Sequence, residues 1–379
     1  MKGKQGLVCM GLLLVLSSCS CHTGKQITAS GLQRKDFQTE VNGQHTDLFT
    51  LSNKQGMEVC ITNYGARVVS ILVPDRNGKR EDVVCGFSTI TEYMEQRQNF
   101  GSTVGRYIGR ILNARFTLDG VEYKLVPNNG KSGHISHGGN PGFADRIWKV
   151  EQADTHRVRL SYLSPDGENG FPGNLKVTLV YSLGEDDNAL DLTYEATTDA
   201  PTVLNLSHHS FFNISGNFTK SVEDQQLWVD ADRFTPYDDK KCVTGEYLQV
   251  AGTPLDFRMP HAIGECIDAD HPQLKVVNGY DHTWELNTKG DDTRPAAWVY
   301  DPASGRKMEI FTTEPGMQIY TGNGLKGKMT GKGGMAYPFR SAVCFETMHF
   351  QDSPNQPGFP STVLRPGEVF RSHTVYKFE

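Results

Sequence analysis

Leu175-Lys-Val-Thr-Leu-Val-Tyr181 and Leu190-Asp-Leu-Thr-Tyr194 alternate apolar and polar residues with a period of two. This alternation is typical of strands that bury one face and expose the other to water. Val158-Arg-Leu-Ser-Tyr162 shows the same pattern, and Leu227-Trp-Val-Asp-Ala231 shows it more loosely. No long stretch carries a clean helical period. The pattern predicts an all-β chain of antiparallel strands with few short helices.

A hairpin is predicted where Ala114-Arg-Phe-Thr-Leu118 and Val121-Glu-Tyr-Lys-Leu125 flank Asp119-Gly120. A two-residue turn pairs Leu118 with Val121 and Phe116 with Tyr123, which puts these apolar residues on one face. No repeat of solenoid or propeller length interrupts residues 34–379, so one large domain is predicted there. Further turn pairs occur at Asn42-Gly43, Asn77-Gly78 and Asn278-Gly279.

The composition is that of a folded, turn-rich globular protein. The 379 residues are 37% hydrophobic and 22% charged, with 39 Gly and 18 Pro. The formal net charge is −6, and the body of the chain contains no Lys/Arg block. Nucleic acid is therefore not expected as a partner.

The N-terminus predicts export. Lys2 and Lys4 precede an apolar run from Leu7 to Leu16, which is too short to span a bilayer. The following Ser17-Ser18-Cys19 resembles a bacterial lipobox, with Cys21 as an alternative lipid acceptor. We expect a lipoprotein signal peptide at residues 1–19 with cleavage before Cys19, a polar linker at 20–33, and the domain at 34–379. The other interpretation is an ordinary signal peptide with an incidental cysteine.

This leader predicts a lipid-anchored protein of a Gram-negative bacterium, periplasmic or associated with the outer membrane. Its only membrane contact would be the lipid on Cys19. The cysteines of the domain are odd in number, scattered and without a C-x-x-C pair, so they predict small buried residues rather than a disulfide framework or a zinc site. They are Cys60, Cys85, Cys242, Cys266 and Cys344.

Two stretches place titratable groups inside β-prone segments. Glu346 interrupts Ala342-Val-Cys-Phe-Glu-Thr-Met348. If this carboxylate is removed from water its pKa rises, which suits a general base. Taken alone, however, the pattern favours a solvent-facing strand glutamate, since many strands expose one face to water. His208 and His209 are adjacent on a strand and point to opposite faces, so only one can enter a given pocket.

Phosphate and metal sites are weakly supported. The segment from Phe100 to Arg110 is glycine-rich but lacks the Gly-Lys-Ser/Thr ending of a P-loop. The loop Ser136-His-Gly-Gly139 is rich in hydrogen-bond donors and suits ligand binding. Four histidines could be combined into a metal site, but none has a compact ligand spacing, so no metal is predicted. They are His134, His137, His208 and His209.

In order along nearly the whole mature chain, these segments resemble the aldose 1-epimerase (galactose mutarotase) family. Each matching segment is weak alone, and the ordered set is specific. The resemblance implies a β-supersandwich fold. The segments are Thr62-Asn-Tyr-Gly-Ala66, Phe100-Gly-Ser-Thr-Val-Gly-Arg106, Ser136-His-Gly-Gly139, Ser164-Pro-Asp-Gly-Glu168, Gly170-Phe-Pro-Gly173, Asn205-Leu-Ser-His-His-Ser-Phe-Phe-Asn213, Asn278-Gly-Tyr-Asp-His282, Glu314-Pro-Gly-Met-Gln-Ile-Tyr-Thr-Gly-Asn323, Phe345-Glu-Thr347, Asn355-Gln-Pro357 and Leu364-Arg-Pro-Gly-Glu368.

The resemblance also implies roles. His209 falls on the family's general acid and Glu346 on its general base. Two positions depart from the family, which usually has Asn where this chain has Gly109 and His208. One sugar hydrogen bond is then lost or supplied differently. The residues expected to bind the sugar are Arg110, His137, Asp281 and Gln318.

The implied reaction interconverts the α and β anomers of a free hexose such as galactose or glucose, by ring opening and closure. It needs no cofactor, although the sequence leaves room for a structural calcium ion, and a monomer is expected. Alternatives remain open: an epimerase of the same fold acting on another or a phosphorylated sugar, or a non-catalytic carbohydrate-binding lipoprotein. A glycoside hydrolase would need a second catalytic carboxylate, for which Asp281 is the candidate.

Overall fold

The computed structural model describes residues 26–379. The predicted signal peptide, Cys19, Cys21 and residues 20–25 of the predicted linker lie outside the described residues. The described chain forms 29 strands, numbered β1 to β29 in chain order, with two α-helices and eight short 3-10 helices. The prediction of an all-β fold with few short helices is confirmed.

The largest sheet has nine antiparallel strands. Its spatial order is β12 (Lys149–Ala153), β13 (Arg157–Ser164), β14 (Leu175–Leu183), β15 (Ala189–Thr198), β29 (Phe370–Phe378), β25 (Lys307–Thr312), β24 (Ala297–Tyr300), β19 (Gln226–Val229) and β22 (His261–Ala262).

A second antiparallel sheet has six strands and carries most of the site described below. Its order is β18 (Phe211–Phe212), β27 (Val343–Met348), β26 (Gly316–Tyr320), β23 (Asp281–Glu285), β20 (Arg233–Thr235) and β21 (Leu248–Gln249). A third sheet has the order β3 (Leu48–Ser52), β4 (Glu58–Thr62), β5 (Arg67–Pro74) and β6 (Arg80–Asp82).

Five two-stranded sheets and the short helices complete the described chain. The pairs are β1 (Glu40–Val41) with β2 (Gln44–His45), β7 (Ser102–Val104) with β17 (Ser207–His209), β8 (Arg110–Ile111) with β11 (Ile135–Ser136), β9 (Arg115–Leu118) with β10 (Val121–Lys124), and β16 (Thr202–Val203) with β28 (Val363–Leu364). The α-helices are α1 (Ile90–Gln96) and α2 (Pro272–Val277). The 3-10 helices are Arg34–Phe37, Leu112–Ala114, Gly130–Ser132, Phe143–Asp145, Glu168–Gly170, Ile263–Glu265, Lys332–Gly334 and Ser353–Asn355.

The strands predicted from alternation lie side by side in the nine-stranded sheet. Every second residue of β14 is fully buried, as the period of two requires. Both β13 and β15 extend one to four residues beyond the predicted segments at their ends. The largest hydrophobic cluster joins these strands to the third sheet and to the six-stranded sheet, with Trp148, Tyr181 and Trp284 fully buried within it.

The predicted hairpin has the predicted register. Leu118 pairs with Val121 and Phe116 pairs with Tyr123, and the two rings stack with centroids 5.4 Å apart. Only the first strand buries its apolar residues fully, because Val121 remains 53% exposed. The apolar face of the hairpin is therefore buried along β9 and partly exposed along β10.

The described part of the predicted linker contacts the domain. Leu32 is buried in the second hydrophobic cluster, and the Ala29 amide donates to a carboxylate oxygen of Glu58 at 2.7 Å. All five cysteines of the domain are free thiols, of which Cys242 and Cys266 are half-buried and the others buried. Within residues 26–379, no helix combines the length and the hydrophobicity needed to cross a bilayer.

Candidate active site

Three neighbouring strands of the six-stranded sheet supply three polar side chains. Gln318 of β26 lies directly opposite Glu346 of β27, and Asp281 begins β23 on the other side of β26. All six residues of β27 are buried, so neither face of this strand meets bulk water. Glu346 is 4% exposed. This answers the question that the sequence left open, because the carboxylate is withdrawn from water.

The adjacent histidines point in different directions, as their positions on one strand predict. His208 lies in the core, where Nε2 is 2.6 Å from Oγ of Ser210 and the ring packs near Tyr181 and Tyr376. His209 faces Glu346 instead, with 3.2 Å between Nε2 and Oε1. Its ring stacks on Phe211, with 5.1 Å between the ring centroids. One histidine is structural and the other belongs to the site.

A tight loop brings His137 to the same place. Its ring lies edge-on to His209, with the centroids 5.4 Å apart. His137 has a positive φ of 52° and is followed by Gly138 at φ 78°. A Cβ on Gly138 would lie 2.0 Å from the carbonyl oxygen of Gly105, so only glycine fits there. The backbone of this loop is pinned by the His137 amide, which donates to Gly109 O at 2.9 Å.

These elements enclose one polar cavity of about 280 Å³. All six residues that the resemblance marked, from Arg110 to Glu346, line this cavity. Their roles in catalysis and binding remain predictions. Besides the two histidines, its aromatic lining residues are Phe211 and Tyr320. The lining residues are Gln98, Asn99, Gly109, Arg110, Ser136, His137, His209, Phe211, Asp281, Gln318, Tyr320, Glu346, Met348 and Gln351.

Burial favours the uncharged forms of the histidine and the glutamate. It lowers the pKa of His209 to about 4, with the positive charge of Arg67 acting in the same direction. Burial and the negative charge of Asp281 raise the pKa of Glu346 well above its usual range, while Arg110 opposes this. Both shifts act in the same sense, because burial disfavours the charged imidazolium and the charged carboxylate alike.

The remaining polar residues form a hydrogen-bonded network. The Gln318 amide donates to Oδ1 of Asp281 at 2.6 Å and accepts from Oγ1 of Thr283. Burial raises the pKa of Asp281, and the charge of Arg110 opposes that rise. The network fixes the carboxylate and amide orientations before any ligand arrives, which reduces the entropy cost of binding.

Two arginines of the glycine-rich segment behave differently. Arg106 is buried, and its guanidinium donates to Pro172 O, Gly173 O and Oγ of Ser164, which fixes a neighbouring loop. Arg110 is the one Lys or Arg side chain among the cavity-lining residues of the described chain. Asp281 and Glu346 line the cavity beside Arg110. The described lining therefore lacks the cluster of cations that a phosphorylated sugar would require.

A possible metal cluster coincides with the acid/base pair. Potential ligand atoms of His209, Cys344 and Glu346 all lie within 4.8 Å of one another. Burial raises the pKa of the Cys344 thiol well above its usual range, so an ion bound here would have to displace the thiol proton. The four histidines considered from the sequence do not converge, because His208 faces the core and Nε2 of His134 contacts Sγ of Cys242.

Sequence reasoning missed Gln351, which lines the cavity five residues after Glu346. It belongs to no motif and lies beyond the end of β27. Gln351 lies against Gly109, one of the two positions where the sequence departs from the family. The family usually has Asn at this position, and here the side chain of Gln351 fills the adjacent space. That departure was the available signal, but sequence alone does not say which residue compensates.

Comparison with known proteins gives a consistent result. The family model described as aldose 1-epimerase matches residues 47–377. Galactose mutarotase of Bos taurus is 40% identical over 331 residues, 87% of this chain and 93% of that protein. Aldose 1-epimerase of Escherichia coli is 36% identical over 339 residues, 89% of this chain and 96% of that protein.

Solved structures share the fold. The structure of an aldose epimerase homologue from C. elegans superposes with a TM-score of 0.81 at 31% identity, covering 88% of this chain and 99% of that one. Galactose 1-epimerase from Lactobacillus acidophilus gives a TM-score of 0.78 at 28% identity, covering 90% of this chain and 97% of that one. With the sequence matches and the geometry of the cavity, these similarities establish that the chain belongs to the aldose 1-epimerase family.

Proposed function

We propose that this chain is an aldose 1-epimerase, an isomerase that interconverts the α and β anomers of free aldohexoses such as galactose and glucose. The observation that carries the proposal is the buried pair of His209 and Glu346, 3.2 Å apart within a polar cavity of about 280 Å³. An acid and a base held at one point, with hydrogen-bonding residues around them, match the needs of ring opening at a hemiacetal carbon.

In the proposed reaction, Glu346 accepts the proton of the C1 hydroxyl while His209 donates a proton to the ring oxygen. The C1–O5 bond breaks and gives the open-chain aldehyde. Rotation about the C1–C2 bond presents the other carbonyl face. Closure returns the proton from Glu346 to the new C1 hydroxyl oxygen and a proton from O5 to His209, so the two residues exchange roles and no atom is lost.

Burial of the pair favours the protonation states that the first step produces. Ring opening converts ionised Glu346 and protonated His209 into their neutral forms, and burial stabilises those forms. The ionised pair that reacts has the same total charge as the pair of neutral side chains. The two forms differ only in whether the histidine or the glutamate holds the proton. Because the two side chains are already 3.2 Å apart, this proton can be redistributed within the pair when a sugar binds.

Arg110, His137, Asp281 and Gln318 would hold the ring through its hydroxyls while C1 stays free to rotate. His137 would act as a neutral hydrogen-bonding group, since burial lowers its pKa to about 3. The chemistry transfers only protons and therefore requires no organic cofactor or metal.

The direct test follows the optical rotation of freshly dissolved α-D-galactose and α-D-glucose with purified full-length protein. We expect the approach to equilibrium to accelerate in proportion to protein concentration, with EDTA having no effect. Glucose 6-phosphate should be a poor substrate, because Arg110 is the one cation of the described lining. No acceleration with either free sugar, at a concentration where the protein binds it, would support a carbohydrate-binding protein instead.

The dependence of kcat/KM on pH tests whether Asp281 and Arg110 influence the pKa of Glu346. Asp281 raises the pKa of Glu346, so replacing Asp281 by Asn should lower that pKa by removing a neighbouring negative charge. The alkaline limb of kcat/KM should then move to lower pH. Arg110→Gln should move the same limb to higher pH, because Arg110 lowers the pKa of Glu346. Enzymatic rates corrected for spontaneous mutarotation measure this, and shifts in the same direction would contradict the assignment.

We also propose that the protein is exported and anchored through lipid on Cys19, on the basis of the apolar run and the Ser17-Ser18-Cys19 motif alone. The mature protein would then begin at Cys19, followed by the linker and the enzyme domain. Mass spectrometry of the N-terminal peptide should find acylated Cys19. An unmodified N-terminus at another residue would exclude this.

A further inference from the structure

At the wall of the cavity, the side chain of Gln351 occupies the space that a side chain at Gly109 would need. Gly109 has a positive φ of 74°, and a Cβ built there would lie 2.6 Å from Cγ of Gln351. The backbones of the two segments are joined as well, because the Asp352 amide donates to Arg110 O at 2.8 Å. A side chain at residue 109 and the side chain present at 351 therefore exclude each other.

Gln351 is a centre of hydrogen bonding between residues expected to hold the sugar. Its Nε2 donates to the Tyr237 hydroxyl at 2.7 Å and to Oε1 of Gln318 at 3.3 Å. Its Oε1 accepts from the backbone amide of Arg110 at 3.2 Å. Both donors of the amide are thus used, but an amide oxygen accepts two hydrogen bonds and only this one is assigned. Gln351 is 4% exposed and lines the cavity.

We propose that Gln351 is a sugar-binding residue, which accepts a hydrogen bond from a ring hydroxyl in place of a side chain at position 109. The inference rests on the proposed function and names a binding group for it. The hydroxyl is one other than that on C1, since the bonds of Gln351 go to Arg110, Gln318 and Tyr237 and none goes to the acid/base pair.

A substrate series distinguishes contact from mere support. The kcat and KM of wild type and of Gln351→Ala are measured with glucose and with 2-deoxy-, 3-deoxy- and 4-deoxyglucose. We expect Gln351→Ala to lower kcat/KM for glucose by about tenfold, mainly through KM. For the one deoxy sugar that lacks the contacted hydroxyl, Gln351→Ala should have the same kcat/KM as wild type. An equal loss with every sugar, or no loss with any, would overturn the proposal.

Packing is separated from hydrogen bonding by a second variant. Gln351→Met keeps the approximate volume of the side chain and removes the amide, so it should reproduce the selective loss. Its melting temperature should fall modestly, because the Arg110 amide loses its acceptor. If Gln351→Met is as active as wild type, the amide does not bind the sugar. Gln249→Ala, which removes an exposed glutamine from edge strand β21, serves as the control and should match wild type.

The shared volume is tested by combining substitutions. Gly109→Asn alone should lower kcat/KM because its Cβ overlaps Gln351, while Asn tolerates the positive φ. Gly109→Asn with Gln351→Ala should be more active than Gly109→Asn alone. A double variant whose loss equals the product of the single losses would show that the positions are independent. These outcomes are read only against an active wild type, so a failure of the proposed function is recognised separately.

Discussion

Replacing Glu346 by Gln should lower kcat for galactose by about 10²–10⁴ while the protein stays folded, because a positioned general base contributes a factor of that size. The side chain is buried, and its Oε1 contacts Nε2 of His209. Glutamine has the same shape and keeps an oxygen at that point, but it cannot accept the C1 proton. KM should change little, since the substitution leaves in place Arg110, Asp281 and Gln318, which we propose bind the sugar.

Glu314 provides a matched control for this substitution. It is buried to 2% exposure, just before β26, and its Oε2 lies 2.7 Å from Nδ1 of His349. It is therefore another buried glutamate paired with a histidine, but it does not line the cavity. Glu314→Gln should cost on the order of 1–3 kcal/mol of stability and leave kcat within about threefold. If both variants lose activity equally, or if Glu346→Gln is active, Glu346 is not the base.

Local features of the fold were predictable from sequence because their causes are local. The period of two in β13, β14 and β15 and the turn at Asp119-Gly120 follow from neighbouring residues, and both the strands and the hairpin register are as expected. The pairing of β15 with β29 was not predictable, because it joins Ala189 to Lys377 across about half of the chain. Alternation says that a face is buried but not which strand lies beside it.

For the acid and base residues, too, the local sequence predicted less than the surrounding fold determines. Residue spacing alone left Glu346 undecided, since an alternating strand can turn a glutamate towards water. In the structure β27 is buried on both faces, a property of the surrounding sheets rather than of its own sequence. Family resemblance supplied the position of His209 opposite it. Gln351 was found by neither route, because its partner Arg110 lies 241 residues away in the sequence.

Replacing His209 by Asn should lower kcat by about 10²–10⁴, because it removes the imidazole beside Glu346 that we propose protonates the ring oxygen. His208→Asn is the adjacent control: that ring faces the core, so activity should remain within a few-fold. Combining His209→Asn with Glu346→Gln should cost little more than either alone, since residues acting as a unit are not additive. The remaining rate of His209→Asn should rise with pH as Glu346 ionises, whereas wild type declines on its alkaline side. Full additivity, or an unchanged pH profile, would mean that the two side chains act on separate steps.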